Sequence, residues 1–334
     1  MSARRLLEEP LEAEPRAADG IGGLWRAFDR VGMKLLDIGA RGGVLPWLGF
    51  FAPFSTYYGC EPDVSAAAGL SHLLQRKNPW RDCVIISEAM GLKAGPARLY
   101  LTRHPGFSSV LKPNMEVVRD FGLEEEFTIE DSIEVPMITL EEAANKYGFE
   151  DVGFVKLDTQ GSELDILKSG AGLLRDSVQG VFVEAEFRPF YQRQPLFSDI
   201  EKYLRKAAFE LVSLDPVTRR RTTTNLRLGY SRRELTWAHA LFIKTRPDPK
   251  IVDEETLFQR LIRQIAIAMA SEHFDLAAER IVHPDYAPIL KNAGLAVTLD
   301  DLDAYIAERV GKTLYRDFRK SWQGVVKDRP RFYT

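Results

Sequence analysis

The sequence predicts an α/β fold: a mostly parallel twisted sheet with helices on both faces, extended at its C-terminal end by helices alone. Three observations predict it. Leu35-Leu36-Asp37-Ile38-Gly39-Ala40-Arg41-Gly42-Gly43 reads as a short apolar strand that ends in an acid and runs into a glycine turn, after which Val44-Leu45-Pro46-Trp47-Leu48 restarts as an apolar, helical segment. Thr56 to Asp63, Arg81 to Ser87, Gly153 to Asp158 and Gln179 to Glu186 read as further strands with helical stretches between some of them, the pattern of a parallel sheet. From 253 to 282 the apolar positions Leu257, Leu261, Ile265, Met269, Phe274, Ala277 and Ile281 fall at helical spacing.

A chain of 334 residues makes one large domain or two modest ones, and 45% hydrophobic with 28% charged residues describes a soluble globular protein. A net charge of −3 gives no general pull toward nucleic acid or acidic lipid. No apolar run reaches the roughly 18 residues of a membrane span. Met1-Ser2-Ala3-Arg4-Arg5 is followed by Glu8, Glu9, Glu12 and Glu14 rather than an apolar stretch, so the expected compartment is the cytoplasm. The two cysteines, Cys60 and Cys83, fall near opposite ends of neighbouring strands and make no disulfide scaffold. There is no internal repeat and no Cys/His pattern of a metal site.

In order along the chain, residues 1–20 are acidic and polar and read as loosely attached. Leu24 to Val31 forms a short helix before the first strand. The glycine turn lets the chain reverse sharply and lets a ligand approach backbone amides, although an ordinary turn needs no ligand. Its spacing is not that of the dinucleotide motif, because Arg41 stands where the second glycine belongs, and Asp37 would repel a pyrophosphate. Asp37 suits a ligand with an amine and a positive centre, and S-adenosylmethionine carries both.

Thr56 to Glu61 ends in an acid about twenty residues past the turn, where a carboxylate can accept both hydroxyls of a ribose. Pro62 fits the first turn of the helix that follows. Ala66 to Leu74 is that helix. Ser87-Glu88-Ala89-Met90-Gly91 falls at the end of the third strand, where Glu88 or a backbone amide would meet an adenine. Ala97 to Thr102 alternates as an extra strand, and a loop from His104 to Val110 follows. Residues 113–132, with Glu124-Glu125-Glu126, read as a solvated lid. Ile133 to Ile138 reads as an edge strand because of Pro136. Thr139 and Glu142 form a capping box for the next helix.

The second chemical centre is Phe154-Val155-Lys156-Leu157-Asp158-Thr159-Gln160-Gly161-Ser162-Glu163-Leu164-Asp165-Ile166-Leu167. A strand ends at Asp158, on the ligand edge of an open α/β sheet. Ser162 is placed to cap a new helix, and Glu163 lies in its first turn, where a carboxylate favours the helix dipole.

L-L-D-I-G-A-R-G-G and F-V-K-L-D-T-Q-G-S-E-L-D-I-L-K together resemble the FkbM family of S-adenosylmethionine-dependent methyltransferases. The second motif is the more specific, following F-x-K-x-D-x-x-G-x-E-x-x-x-L-x-G through Gly170. Val183 to Phe187 and Leu196-Phe197 resemble the segment that follows. The resemblance spans about residues 33–245. It implies a Rossmann-like class I methyltransferase fold and methyl transfer to a hydroxyl of a sugar or other small metabolite, as in polysaccharide biosynthesis. It puts Asp37, Gly39 and Gly42, with Ala40 and Arg41 of the same turn, at the methionine end of S-adenosylmethionine. Glu61, with Pro62, falls at the ribose, Glu88 and Ala89 at the adenine, and Asp158 beside the transferred methyl. Arg41 and Gly43 depart from the small or polar residues common there.

An alcohol acceptor must shed a proton. The candidates are Asp158, then Glu184 and Glu186, which share one face of their strand, and His104 from the loop. No metal is required, although the carboxylates offer an alternative site for Mg²⁺. Gln160, Arg188 and Tyr191 fall on the acceptor side. Phe197 to Ala207 is an amphipathic helix. Phe209 to Leu214 and Thr236 to Lys244 pair antiparallel and close the sheet, and His239, alternating with Trp237 and Leu241, reads as packed. Between these strands Arg219, Arg220, Arg221, Arg227, Arg232 and Arg233 form a basic loop: a solvated hairpin, or an anion site in which Arg219 and Arg220 hold a phosphate-bearing acceptor.

The expected parts are an N-terminal segment 1–32, a methyltransferase-like domain 33–246 and a helical extension 247–334, broken at His283-Pro284, whose helices pack on the core, form a dimer surface or dock a partner. Two other classes are a non-catalytic module that works through this tail and, against the glycine spacing, a dinucleotide oxidoreductase.

Overall fold

In a computed structural model the described residues are 21–76, 79–222, 230–309 and 311. The acidic stretch 1–20 and residues 223–229 of the arginine-rich loop, Arg227 among them, lie outside the described residues. The described residues divide into two units, one of Gly32–Asp248 and the other combining residues 21–31 with those from Pro249 onward. The N-terminal helix, α1 (Gly22–Val31), is grouped with the C-terminal helices.

The strands of the first unit, in chain order, are β1 (Met33–Ile38), β2 (Ser55–Cys60), β3 (Asp82–Ile86), β4 (Ala89–Met90), β5 (Gly95–Thr102), β6 (Ile129–Ile138), β7 (Phe154–Leu157), β8 (Gly180–Glu186), β9 (Phe209–Arg219) and β10 (Glu234–Lys244). Its helices are α2 (Val64–Arg76), α3 (Met115–Asp120), α4 (Leu140–Tyr147), α5 (Glu163–Ser169), α6 (Ala171–Asp176) and α7 (Phe197–Lys206). Seven strands form one sheet in the order β3-β2-β1-β7-β8-β10-β9, with β10 antiparallel to both neighbours. The expected fold class, a mostly parallel sheet with helices and a helical C-terminal region, is the one observed.

Period-two alternation sorts the sheet's side chains between its two faces. Leu36, Val155, Leu157, Val181, Val183, Ala240 and Phe242 form a buried core with α4, α5, α6 and α7. The opposite face carries Asp37, Lys156, Phe182, Glu184, Glu186 and His239. The segment after the glycine turn packs on part of this face: Trp47 meets Phe154 and Phe182 edge-on, with ring centroids 5.7 and 5.3 Å apart. That segment, Pro46–Phe54, is a run of 3₁₀ turns rather than the expected helix. It is apolar all round and holds Pro53, which cannot donate a helical hydrogen bond.

β4, β6 and β5 form a second, three-stranded sheet with β6 in the middle. Pro136 does not mark an edge: it lies opposite Pro96, just before the two residues of β6 that pair with β4. The expected solvated lid is also packed, since Val117, Val118, Phe121, Leu123 and Phe127 are buried with Phe190 and Tyr191. The capping box at Thr139 and Glu142 forms as expected.

In the second unit Asp253 caps α8 (Glu254–Ala270) by accepting from the Thr256 amide at 2.9 Å. α9 (Phe274–Val282) stops at His283, and α10 (Ala287–Asn292) and α11 (Leu299–Arg309) follow. α1 packs on α8, and the Arg30 guanidinium sits 5.0 Å from the Phe258 ring centroid. Among the described residues no helix is long and apolar enough to cross a membrane.

Candidate active site

Two turns at the carboxyl ends of β1 and β7 meet at Gly39. Its φ is +81°, and a Cβ there would lie 1.9 Å from the Asp158 carbonyl oxygen, so no residue with a side chain fits. The amides of Gly39 and Ala40 donate to the Cys60 carbonyl at 3.0 and 3.1 Å and continue the ladder to β2. The turn is thus held by backbone bonds between strands, and these two amides are not bare.

Beside this junction lies a cavity of about 200 Å³. Gly39, Arg41, Gly42, Glu61, Pro62, Glu88, Ala89, Asp158 and Gln160 line it, all of them anticipated from the sequence. No Cβ neighbour lies within 4 Å at Gly42, so its surface is open. The second sheet and its loop supply the other wall through Leu99, Pro105, Gly106, Ser108 and Val110, none of which the sequence singled out.

Glu61 is buried, with Oε1 accepting from the Asp63 amide at 2.8 Å, and burial raises its pKa. Arg41 pairs with Asp63 next to it. Glu88 accepts from Lys146 and Tyr147; burial pushes its pKa up, but these two donors outweigh it and the net shift is downward.

Asp37 and Ala40 do not line the cavity; both are fully buried. Tyr57 donates its hydroxyl to Asp37 Oδ2 at 2.8 Å, and Lys156 Nζ lies 2.9 Å from Oδ1. Lys156 also donates to the Gly39 carbonyl at 2.9 Å. Burial pulls the Lys156 ammonium down, but Asp37 and then Asp158 outweigh it and the net shift is upward. Asp37 is thus joined through Lys156 to the Gly39 carbonyl of the turn. The sequence contained the signal: two residues before Asp158, on the same face of β7, Lys156 lies opposite Asp37.

The acids expected at the strand ends do gather. Gln160, at φ +60°, donates from Nε2 to Asp158 Oδ1 at 2.8 Å and to Glu184 Oε1 at 2.6 Å. Tyr191, buried, donates to Gln160 Oε1 at 2.8 Å. Ser109 donates to the Gln160 carbonyl at 2.8 Å, which ties the second sheet's loop to the motif. His239 stacks on Phe182, as a packed residue would, yet its Nε2 also lies 3.1 Å from Glu184 Oε2. Burial and then Asp158 raise the Glu184 carboxyl. Burial, then Glu163 and Glu184, raise Glu186 well above the usual range. Glu163 does not only favour the helix dipole: it accepts from the Thr159 amide, the Thr159 hydroxyl and the Gly161 amide, while Ser162 makes no capping bond.

Four candidates lie elsewhere. His104 is exposed and its ring lies tilted against Phe107, with centroids 4.9 Å apart, outside the cavity wall that Pro105 and Gly106 form. Arg188 pairs with Asp120 and Glu234 at 3.5 and 3.9 Å. Arg221 pairs with the same two acids, and the Arg219 guanidinium lies 4.9 Å from the Trp237 ring centroid. Arg220 is exposed and also outside the cavity. Tyr191 reaches the site only through Gln160.

Sheet order, cavity position and strand-end carboxylates define a nucleoside-binding α/β protein of the class I methyltransferase type. The sequence model of the methyltransferase FkbM domain matches residues 37–211. The chain belongs to this family of S-adenosylmethionine-dependent methyltransferases. Solved structures that the chain matches include the FkbM methyltransferase from Methylobacillus flagellatus (14% identity, TM-score 0.38), over 64% of this chain and 44% of that one. Others are a magnesium protoporphyrin IX methyltransferase from Synechocystis with bound S-adenosylmethionine (10%, 0.33, 67% and 81%) and M. capricolum TrmK with S-adenosylhomocysteine (10%, 0.33, 85% and 96%). No curated protein matches the sequence.

Proposed function

We propose that this protein transfers the methyl group of S-adenosylmethionine to a hydroxyl of a small acceptor, most simply a sugar unit of a glycan, a polysaccharide or a related metabolite. The observation that carries this reading is one cavity lined at one side by Glu61 and at the other by Asp158. Glu61 offers a carboxylate to ribose hydroxyls, and the open surface at Gly42 admits a ligand. The cofactor supplies a methyl already activated by its sulfonium. The protein's tasks are to align the acceptor oxygen, exclude water and take up its proton.

Asp158 is the proton acceptor in this reading, since it lines the cavity and is backed by Gln160 and Glu184. Glu186 is too buried to meet an acceptor. Cys60 and Cys83 form no disulfide among the described residues, which fits work in a reducing compartment such as the cytoplasm.

The test is a thermal-shift titration followed by turnover. S-adenosylhomocysteine should raise the melting temperature and NAD should not; the reverse result would overturn the cofactor reading. Asp158→Asn should keep S-adenosylhomocysteine affinity and lower kcat about tenfold or more. Near-normal kcat would clear Asp158 of the role. Comparing glycans with and without the active gene for the added mass of one methylene tests the acceptor class.

A further inference from the structure

Three side chains of metal-ligating type stand in one row across β7, β8 and β10. Leu157 lies opposite Val183, so the next residues, Asp158 and Glu184, fall side by side, and His239 is the antiparallel partner of Glu184. One ligand atom from each can be chosen so that all lie within 4.8 Å of one another. We propose that Asp158, Glu184 and His239 bind a first-row divalent cation, of the Mn²⁺ or Zn²⁺ kind, at the Asp158 end of the cavity.

Spacing is the first argument. Such ions hold nitrogen and carboxylate oxygen at about 2.0–2.2 Å, which separates neighbouring ligand atoms by about 3 Å. Glu184 Oε2 and His239 Nε2 are already 3.1 Å apart.

The second argument is the support behind the ligands. A single donor, Gln160 Nε2, holds Asp158 Oδ1 and Glu184 Oε1, and Tyr191 holds Gln160 in turn. Glu184 Oε2 is left facing His239 Nε2. Outer hydrogen bonds of this kind orient metal ligands.

Charge is the third. Lys156 Nζ is 4.0 Å from Asp158, but lies closer to Asp37 and the Gly39 carbonyl, at 2.9 Å each. Against it stand the carboxylates of Asp158 and Glu184, held side by side by one amide donor. Glu186, on the same face of β8 as Glu184, is 3% exposed, and its Oε2 has no hydrogen-bond partner among the described residues. Two adjacent carboxylates with one imidazole beside them favour a cation between them.

Access is the fourth. The side chains of Asp158 and His239 are 32% and 31% exposed, so the ion would keep open positions. One imidazole with two carboxylates selects first-row transition ions over calcium. This inference rests on the proposed methyl-transfer site only for its use: an acceptor hydroxyl on the ion would lose its proton more readily.

The experiment uses the full chain, stripped by chelator and titrated with MnCl₂ under electron paramagnetic resonance, with S-adenosylhomocysteine binding measured in parallel. Saturable uptake of one Mn²⁺ per chain is expected, with spin-echo modulation from a directly bound imidazole nitrogen. Glu184→Gln and His239→Gln should each weaken it at least tenfold while the fold, followed by circular dichroism, is retained. No saturable uptake at millimolar Mn²⁺, no nitrogen modulation in the wild type, or equal affinity in both variants would overturn the proposal. If S-adenosylhomocysteine binds and Mn²⁺ does not, only the cation site falls. If S-adenosylhomocysteine fails to bind, the cofactor reading falls by itself.

Discussion

Lys156 Nζ lies 2.9 Å from Asp37 Oδ1, and both side chains are buried, so the two motifs that define the site are joined under the cavity by an ion pair. Removing one partner of such a pair strands the other charge in a medium that solvates it poorly, at a cost of about 3–5 kcal/mol. Lys156→Met should destabilise the protein by roughly that amount in urea unfolding. The double variant Asp37→Leu with Lys156→Met should recover part of the loss, because neither charge is then stranded. Equal loss in single and double variants would remove the pair's special role.

Glu61→Gln keeps the acceptor for the Asp63 amide but removes the negative charge from the cavity. Hydrogen bonds to a charged group contribute about 1.5–3 kcal/mol, so S-adenosylhomocysteine affinity should fall about tenfold to a hundredfold. Isothermal titration calorimetry reads this directly, and an unchanged Kd would show that Glu61 holds no ribose.

Gln160→Leu removes the amide that spans Asp158 and Glu184 and the acceptor for Tyr191. The carboxylates lose their fixed geometry. Turnover should drop about tenfold to a hundredfold, as for losses of alignment, while S-adenosylhomocysteine affinity changes little. A parallel fall in affinity and turnover would make Gln160 a cofactor-binding residue instead.

Burial raises the Glu163 carboxyl from the ordinary 4.5 to about 7. The folded state therefore holds this proton more tightly than the unfolded chain. Its contribution to stability is complete below the unfolded value and is lost as pH rises through about 7. Melting temperatures taken across that window should fall with rising pH more steeply in the wild type than in Glu163→Gln. Identical slopes would mean that Glu163 does not titrate there.

Much of the cavity was legible from local pattern. A glycine turn after a strand, an acid at the end of the next strand and F-x-K-x-D single out Gly39, Arg41, Gly42, Glu61, Glu88 and Asp158, which line one cavity because the carboxyl ends of neighbouring parallel strands share one rim. His104, Arg188, Arg219 and Arg220 were misplaced because residue type says nothing about which way a loop turns. Arg188 meets Asp120 and Glu234, and Arg219 meets Trp237, partners that lie far from them in sequence. The lid was misread because its charges hide Val117, Val118, Phe121 and Phe127, whose packing partners Phe190 and Tyr191 come more than sixty residues later.

The sequence by itself determined the main strands of the large sheet, the family and the carboxylates at the sheet's rim, since each rests on spacing within a few residues. Only the tertiary structure decided how those charges are used. Cross-strand register turned Asp37 inward to Lys156, set Glu184 between Asp158 and His239, and let Gln160 tie the acids together. Register is set by pairing between distant segments, and a one-residue slip would send each of these side chains to the opposite face.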